Sequence, residues 1–381
     1  MTVNGETERI NSQSVEDLYP LSPMQQGMLF HTVYEPESGT YLEQSVFTIE
    51  GELDVSAFKR AWELVLDRHS ILRSSFVWED LEKPLQVVHR DVLLPFKEHD
   101  WRVQPAENQS QLLQEYLSDD RRRGFDLGSA PLLRLALFRT SDSSYKFIFS
   151  RHHIVLDRWS RSIVLKELFA FYEAVVREEK LSSNQQRPYG DYISWLANQD
   201  MEAAEAYWRA SLEGFSVPTP VAIEKALDPT QHGKQFDDER IQLSEETTVH
   251  LREFARQHKL TLNTLTQAAW AVLLGKYARE TDVLFGVTVS GRPATLSGVE
   301  SMVGLFINTL PLRVQLSPDK KVLEWLKSLQ AQQFALQQYE YCSLLDIQGW
   351  SEIPRAFHCL KRSWSLRTFL LVAILKWLTV I

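Results

Sequence analysis

Cysteine is nearly absent from this chain. Only Cys342 and Cys359 occur, too few for a disulfide framework, and their scarcity suits a reducing cytoplasm. Residues 1–17 are polar and acidic and lack the basic-then-apolar layout of a signal peptide. An excess of positive charge is missing as well: the net charge of −9 argues against nucleic acid as a partner. The run Asp119-Asp120-Arg121-Arg122-Arg123 mixes signs and reads as a solvated turn. The terminal apolar run Phe369 to Leu375 is bracketed by Arg367 and Lys376. It falls short of the roughly 20 residues a spanning helix needs, so a membrane is not expected. Acidic residues stop at Glu352, although the chain carries 50 of them. What is present is a 44% hydrophobic composition, enough for a sizeable core and unlike a disordered chain.

The densest chemistry lies in Ser150-Arg151-His152-His153-Ile154-Val155-Leu156-Asp157-Arg158-Trp159-Ser160. Tyr145 to Phe149 before it reads as a buried strand. From Trp159 to Val176, apolar residues at Ile163, Val164, Leu168, Phe169, Tyr172 and Val176 follow helical spacing. The histidines therefore sit where a strand ends and a helix begins. Alternation along an extended segment points His152 and His153 opposite ways, so one can pack inward while the other faces a cleft as a base. Three plainer readings stand beside this one. A strand-end histidine is commonly a hydrogen-bonded structural residue, and Asp157 can serve as a helix N-cap. A zinc site has only two ligands at this spacing, with no nearby Cys, and no metal is expected.

His152-His153-x-x-x-Asp157 closely resembles the HHxxxDG signature of the condensation domains of nonribosomal peptide synthetases. Other stretches resemble that family's motifs in the same order. They are Leu18 to Phe30, Arg68-His69-Ser70-Ile71-Leu72-Arg73 through Phe76, and Gly124-Phe125-Asp126-Leu127 with Ala130 to Arg134. Tyr189-Gly190-Asp191-Tyr192-Ile193-Ser194-Trp195, Ser290-Gly291-Arg292-Pro293 and Val303 to Arg313 follow. The likeness runs from about Leu18 to Pro354. One position departs: Arg158 stands where the family has glycine.

The resemblance implies an α/β (α+β) fold of two chloramphenicol-acetyltransferase-like lobes in a V, with the second lobe incomplete. It implies amide formation between a donor acyl or peptidyl thioester and the amine of an acceptor aminoacyl thioester. Both would ride on phosphopantetheine arms of donor and acceptor peptidyl carrier protein domains, beside adenylation domains, in the cytoplasm. No cofactor would be bound directly. His153 matches the active-site base. Asp157 matches the aspartate that pairs with an arginine of the other lobe, here Arg292. His152 and Asn308 fall at supporting positions, and Arg158, Trp159 and Arg73 are candidates for the substrate channel. A non-catalytic remnant or docking module, and an epimerisation domain or other HHxxxD acyltransferase, are the competing readings.

Along the chain, residues 1–17 are expected to be a flexible lead-in and 18–180 the first lobe. Residues 181–220 form an inter-lobe helix and linker, 221–354 the second lobe, and 355–381 a tail outside the family pattern, as from a frameshift or truncation. Single helices are expected over Ala57 to Leu66 and Asp191 to Leu212. The Trp270 to Leu274 stretch of a third, Asn263 to Ala278, is expected to be almost wholly buried. Val283 to Val289 is expected as a strand.

Overall fold

A computed structural model describes residues 14–179, 186–219 and 241–353. The tail from 355 lies outside them. In chain order the elements are β1 (Val15–Pro20), α1 (Pro23–Tyr34), β2 (Leu42–Glu50), α2 (Val55–Arg68), β3 (Ser74–Val77), β4 (Leu85–His89) and β5 (Phe96–Asp100). Then come α3 (Ala106–Arg123), β6 (Leu133–Arg139), β7 (Ser144–His152), α4 (Arg158–Val176), α5 (Tyr189–Ala197) and α6 (Met201–Leu212). The last are α7 (Glu245–His258), α8 (Leu262–Ala278), β8 (Asp282–Val289), β9 (Asn308–Gln315), α9 (Val322–Gln337) and α10 (Leu344–Trp350).

Two compact units result. The first takes the chain up to Gln199 and then Arg292–Ile307; the second takes Asp200–Gly291 and the chain from Asn308. Unit 1 holds a four-stranded sheet in the order β2-β7-β6-β5, with β5 parallel to β6 and the other pairs antiparallel. A second sheet, β1-β4-β3, is antiparallel. Pairing begins at Val15 opposite His89, so residues 15–17 of the expected lead-in lie in a strand. Aromatic residues fill the core. Phe58 and Trp62 of α2 meet Phe147 and Phe149 of β7 at ring separations of 5.1 and 5.0 Å. Each such buried side chain contributes about 1.5–3 kcal/mol. On the opposite sheet face, α3 sets Leu113, Tyr116 and Leu117 against Ala136, Phe138 and Ile148.

Three local expectations need correction. Asp191 to Leu212 is not one helix: Asp200 caps a new helix by accepting the Ala203 N–H at 2.9 Å, so α5 ends and α6 begins there. The charged run 119–123 is not a turn but the end of α3, and Asp120 is buried, paired with Arg134 at 2.8 Å. Along α8, Val272 and Leu273 are exposed, because the buried positions Thr264, Gln267, Ala268, Ala271 and Leu274 repeat on one face.

Unit 2 has the antiparallel pair β8–β9 and a core built from Trp208, Ala271, Leu274, Val283, Leu310, Leu312 and Leu329. Among the described residues, no helix is long and apolar enough to cross a membrane.

Candidate active site

Strand β7 ends at His152, and His153 opens a 3-10 turn that runs to Val155. This change of backbone form separates the two rings. His152 is 4% exposed. Its Nδ1 accepts the Ile154 N–H at 3.2 Å, so the ring proton must sit on Nε2. There it faces Thr32 Oγ1 at 3.4 Å, and that hydroxyl donates onward to the Met28 carbonyl at 2.8 Å. Burial, with the neighbouring His153 adding to it, pushes the His152 imidazole down to about 3. At neutral pH it is an uncharged structural ring.

His153 is half-buried and held at both ends. Its backbone N–H donates to the Tyr41 carbonyl at 2.8 Å. Its Nδ1 lies 3.0 Å from the Leu156 carbonyl. A carbonyl can only accept, so Nδ1 carries a proton, and in the neutral form of the ring the lone pair lies on Nε2. The neighbouring charges come from the β2–β7 register, where Glu43 faces Arg151. Arg151 bonds Glu43 at 2.5 Å and Ser45 Oγ at 3.1 Å, and Arg161 reaches Ser45 Oγ at 3.3 Å. Burial alone would raise the Glu43 carboxyl, but the charges of His153, Arg151 and Arg161 outweigh it and hold the group below the usual carboxylate range.

Asp157 begins α4. One carboxylate oxygen accepts the Ser160 N–H at 2.7 Å, which is the N-cap bond, and the other accepts the Phe306 N–H at 3.0 Å. Its own N–H donates to the Gly304 carbonyl at 3.1 Å. Arg292 approaches Asp157 at 3.7 Å and donates directly to Ser160 Oγ at 2.8 Å. It also donates to the Met302 carbonyl at 3.0 Å and to the Val299 carbonyl. Ser160 Oγ exchanges hydrogen bonds with the Gly304 backbone at 2.8 and 3.0 Å. The charge-assisted and N-cap readings of Asp157 thus coexist in one network, all of it within unit 1. Gly304 is required there: a Cβ would run into the Tyr189 ring, whose hydroxyl donates to the Leu305 carbonyl at 2.6 Å. Further along α4, Glu167 takes His69 at 2.5 Å and Arg68 at 3.5 Å, which ties the helix to the end of α2.

The structure thus brings His152, His153, Asp157 and Arg292 into one unit. Arg158 is half-buried in the first turn of α4, and its charge acts on Arg161. Trp159 is 51% exposed and donates to the Glu300 carbonyl at 3.0 Å. Arg73 is elsewhere. Its guanidinium binds Glu16 at 2.5 Å, the Leu66 carbonyl at 3.2 Å and the His89 carbonyl, so it knits β1, α2 and β4 together. Asn308 belongs to unit 2, where its Nδ2 donates to the carbonyls of Glu340 and Cys342, each at 2.7 Å. Sequence reasoning does not single out Ser160, Glu43, Thr32 or the Leu156 carbonyl. Ser160 stands beside the HHxxxD stretch and could have been found there. A carbonyl has no side-chain signature. Among the described residues, no three His, Cys, Asp or Glu side chains converge as metal ligands.

Residues 15–360 match the condensation domain family. The chain is 51% identical over 345 residues to a linear gramicidin synthase of Brevibacillus parabrevis, covering 90% of this chain and 7% of that one. It is 39% identical over 348 residues to bacitracin synthase 3 of Bacillus licheniformis, covering 91% of this chain and 5% of that one. It therefore spans only a small part of the curated relatives. Among solved structures, the first condensation domain of the calcium-dependent antibiotic synthetase superposes with a TM-score of 0.70 at 18% identity, covering 88% of this chain and 78% of that one. The condensation domain of the Monacolin K polyketide synthase MokA gives 0.72 at 20% identity, covering 88% and 76%.

Proposed function

The chain belongs to the condensation domain family of nonribosomal peptide synthesis, and from that membership we propose that it joins two carrier-bound building blocks through an amide bond. The acceptor amine attacks the carbonyl carbon of the donor thioester, a C–N bond forms, and the C–S bond breaks to release the donor arm's thiol. The proton lost by the amine passes to His153 Nε2 and on to the departing sulfur. Both substrates ride on phosphopantetheine arms of donor and acceptor carrier protein domains, loaded by adenylation domains in the cytoplasm.

One observation carries this reading. His153 has its Nδ1 proton committed to the Leu156 carbonyl at 3.0 Å, so that whenever the ring is neutral Nε2 is the acceptor, aimed by a fixed ring. Such a group can hold an amine in line and take its proton. His152, Asp157 and Arg292 act as supports: the first packs the strand end, and the other two fix the start of α4. Asn308 has a supporting part within unit 2, where its Nδ2 ties the start of β9 to the Glu340 and Cys342 carbonyls. Arg158 and Trp159 border the substrate channel.

The test is amide formation from two loaded carrier proteins, with the wild-type chain and His153→Ala side by side. Product from the wild type and at least about a hundredfold less from the variant is the expected result. Equal product from both would remove His153 from the mechanism. Product from neither would favour a non-catalytic docking role.

A further inference from the structure

Strands β8 and β9 pair from Asp282 opposite Gln315 to Val289 opposite Asn308. The chain between them leaves the end of this hairpin, and Arg292–Ile307 pack within unit 1. The two stems of the excursion, Gly291 and Asn308, stay in unit 2. One turn, just after α9, holds both. The Glu340 side-chain Oε2 accepts the Gly291 N–H at 2.9 Å. The Glu340 carbonyl accepts from Asn308 Nδ2 at 2.7 Å, and the Cys342 carbonyl takes the second Nδ2 proton at 2.7 Å. Gly291 has φ +61°, a conformation that favours glycine, so the stem's direction is set by its backbone and by its acceptor together. Glu340 is half-buried. Burial pushes its carboxyl up to about 7, and the Gly291 N–H works against that rise. An acidic side chain withdrawn from water at this cost needs a local use.

We propose that Glu340 is a positioning residue whose side chain and carbonyl clasp both stems of the 292–307 excursion. Clasped stems fix the segment that supplies Arg292, the Gly304 carbonyl and the Phe306 N–H to Asp157 and Ser160. Its bearing on turnover rests on the reaction proposed above; its bearing on the segment itself does not.

Amide hydrogen exchange across 292–307 and carrier-to-carrier amide formation, measured on the full chain, test it. In Glu340→Ala the excursion exchanges about tenfold faster, while the β6 and β7 amides are unchanged. In the same variant kcat falls about tenfold or more at unchanged KM for both carriers. Glu340→Gln keeps an acceptor oxygen and restores both quantities to within about twofold. Glu340→Ala removes only the Gly291 bond and keeps the carbonyl's bond to Asn308, so wild-type exchange in it would overturn the positioning role of the Glu340 side chain, and so would Glu340→Gln exchanging as fast as the alanine variant. If the condensation reading itself fails, no variant yields product and the exchange result still decides.

Discussion

The surroundings of His152 and those of His153 differ although the residues share a peptide bond. Around His152, Thr32, Ile154 and Phe125 close over a ring that is 4% exposed and pushed down to about 3. Around His153 a half-buried ring meets a carbonyl on one nitrogen, among the charges of Glu43, Arg151 and Arg161. The first region spends its polar groups on holding a neutral imidazole in place. The second leaves one nitrogen uncommitted. The same residue type is thus a packing element in one place and a candidate base in the next, and the difference comes from the switch of strand into 3-10 turn between them.

Substitutions at and around the two rings separate these roles. His153→Ala carries the largest expected effect. Amide formation falls about 10²–10⁴-fold, while the thermal unfolding midpoint stays within a few degrees. Asp157→Ala is expected to cost about 3–5 kcal/mol in a denaturant titration, since the Phe306 and Ser160 N–H groups and Arg292 all lose their acceptor. A soluble, equally stable variant would show that the network at α4 is dispensable. His152→Ala follows at about 1–3 kcal/mol, as the Ile154 N–H loses its acceptor.

The His152 substitution also changes the pH dependence. The folded ring titrates near 3 and its ordinary value is 6.5, so below 6.5 the unfolded chain binds the extra proton. This contribution to stability is therefore present above 6.5 and is lost as pH falls toward 3. Urea titrations from about pH 7 to about pH 4 should show a shallower decline in the variant than in the wild type. The smallest effect belongs to Arg158→Gly. The side chain is half-buried in the first turn of α4, and its loss should move stability by about 0.5 kcal/mol or less and product formation by less than about threefold.

Much of this is legible in the sequence. Aromatic and β-branched content marks β7, and helical spacing marks α2 and α4; alternation predicts that the two histidines part, although it is the switch from strand to 3-10 turn that parts them. The ordered motifs identify Asp157 and Arg292, which the fold brings within 3.7 Å. Other features carry no such signal. The break between α5 and α6 depends on Asp200 acting as a cap, which apolar periodicity does not register. The parallel pairing of β5 with β6 joins segments that α3 separates. The acceptors and donors that matter most, the Leu156 and Gly304 carbonyls and the Phe306 N–H, belong to the backbone, so residue type says nothing of them. Arg73 shows the converse. Its place in a motif suggests a channel, but the buried guanidinium is spent on Glu16 and on carbonyls.

Adjacent histidines that hold opposite tautomers, with only His153 presenting a free Nε2, are what the proposed chemistry requires. Nitrogen-15 spectra of the two imidazoles at neutral pH, assigned with His152→Ala and His153→Ala, test this most directly. The proton is expected on Nε2 of His152 and on Nδ1 of His153. A proton found on Nε2 of His153 would contradict it, because the base would then have no lone pair to offer.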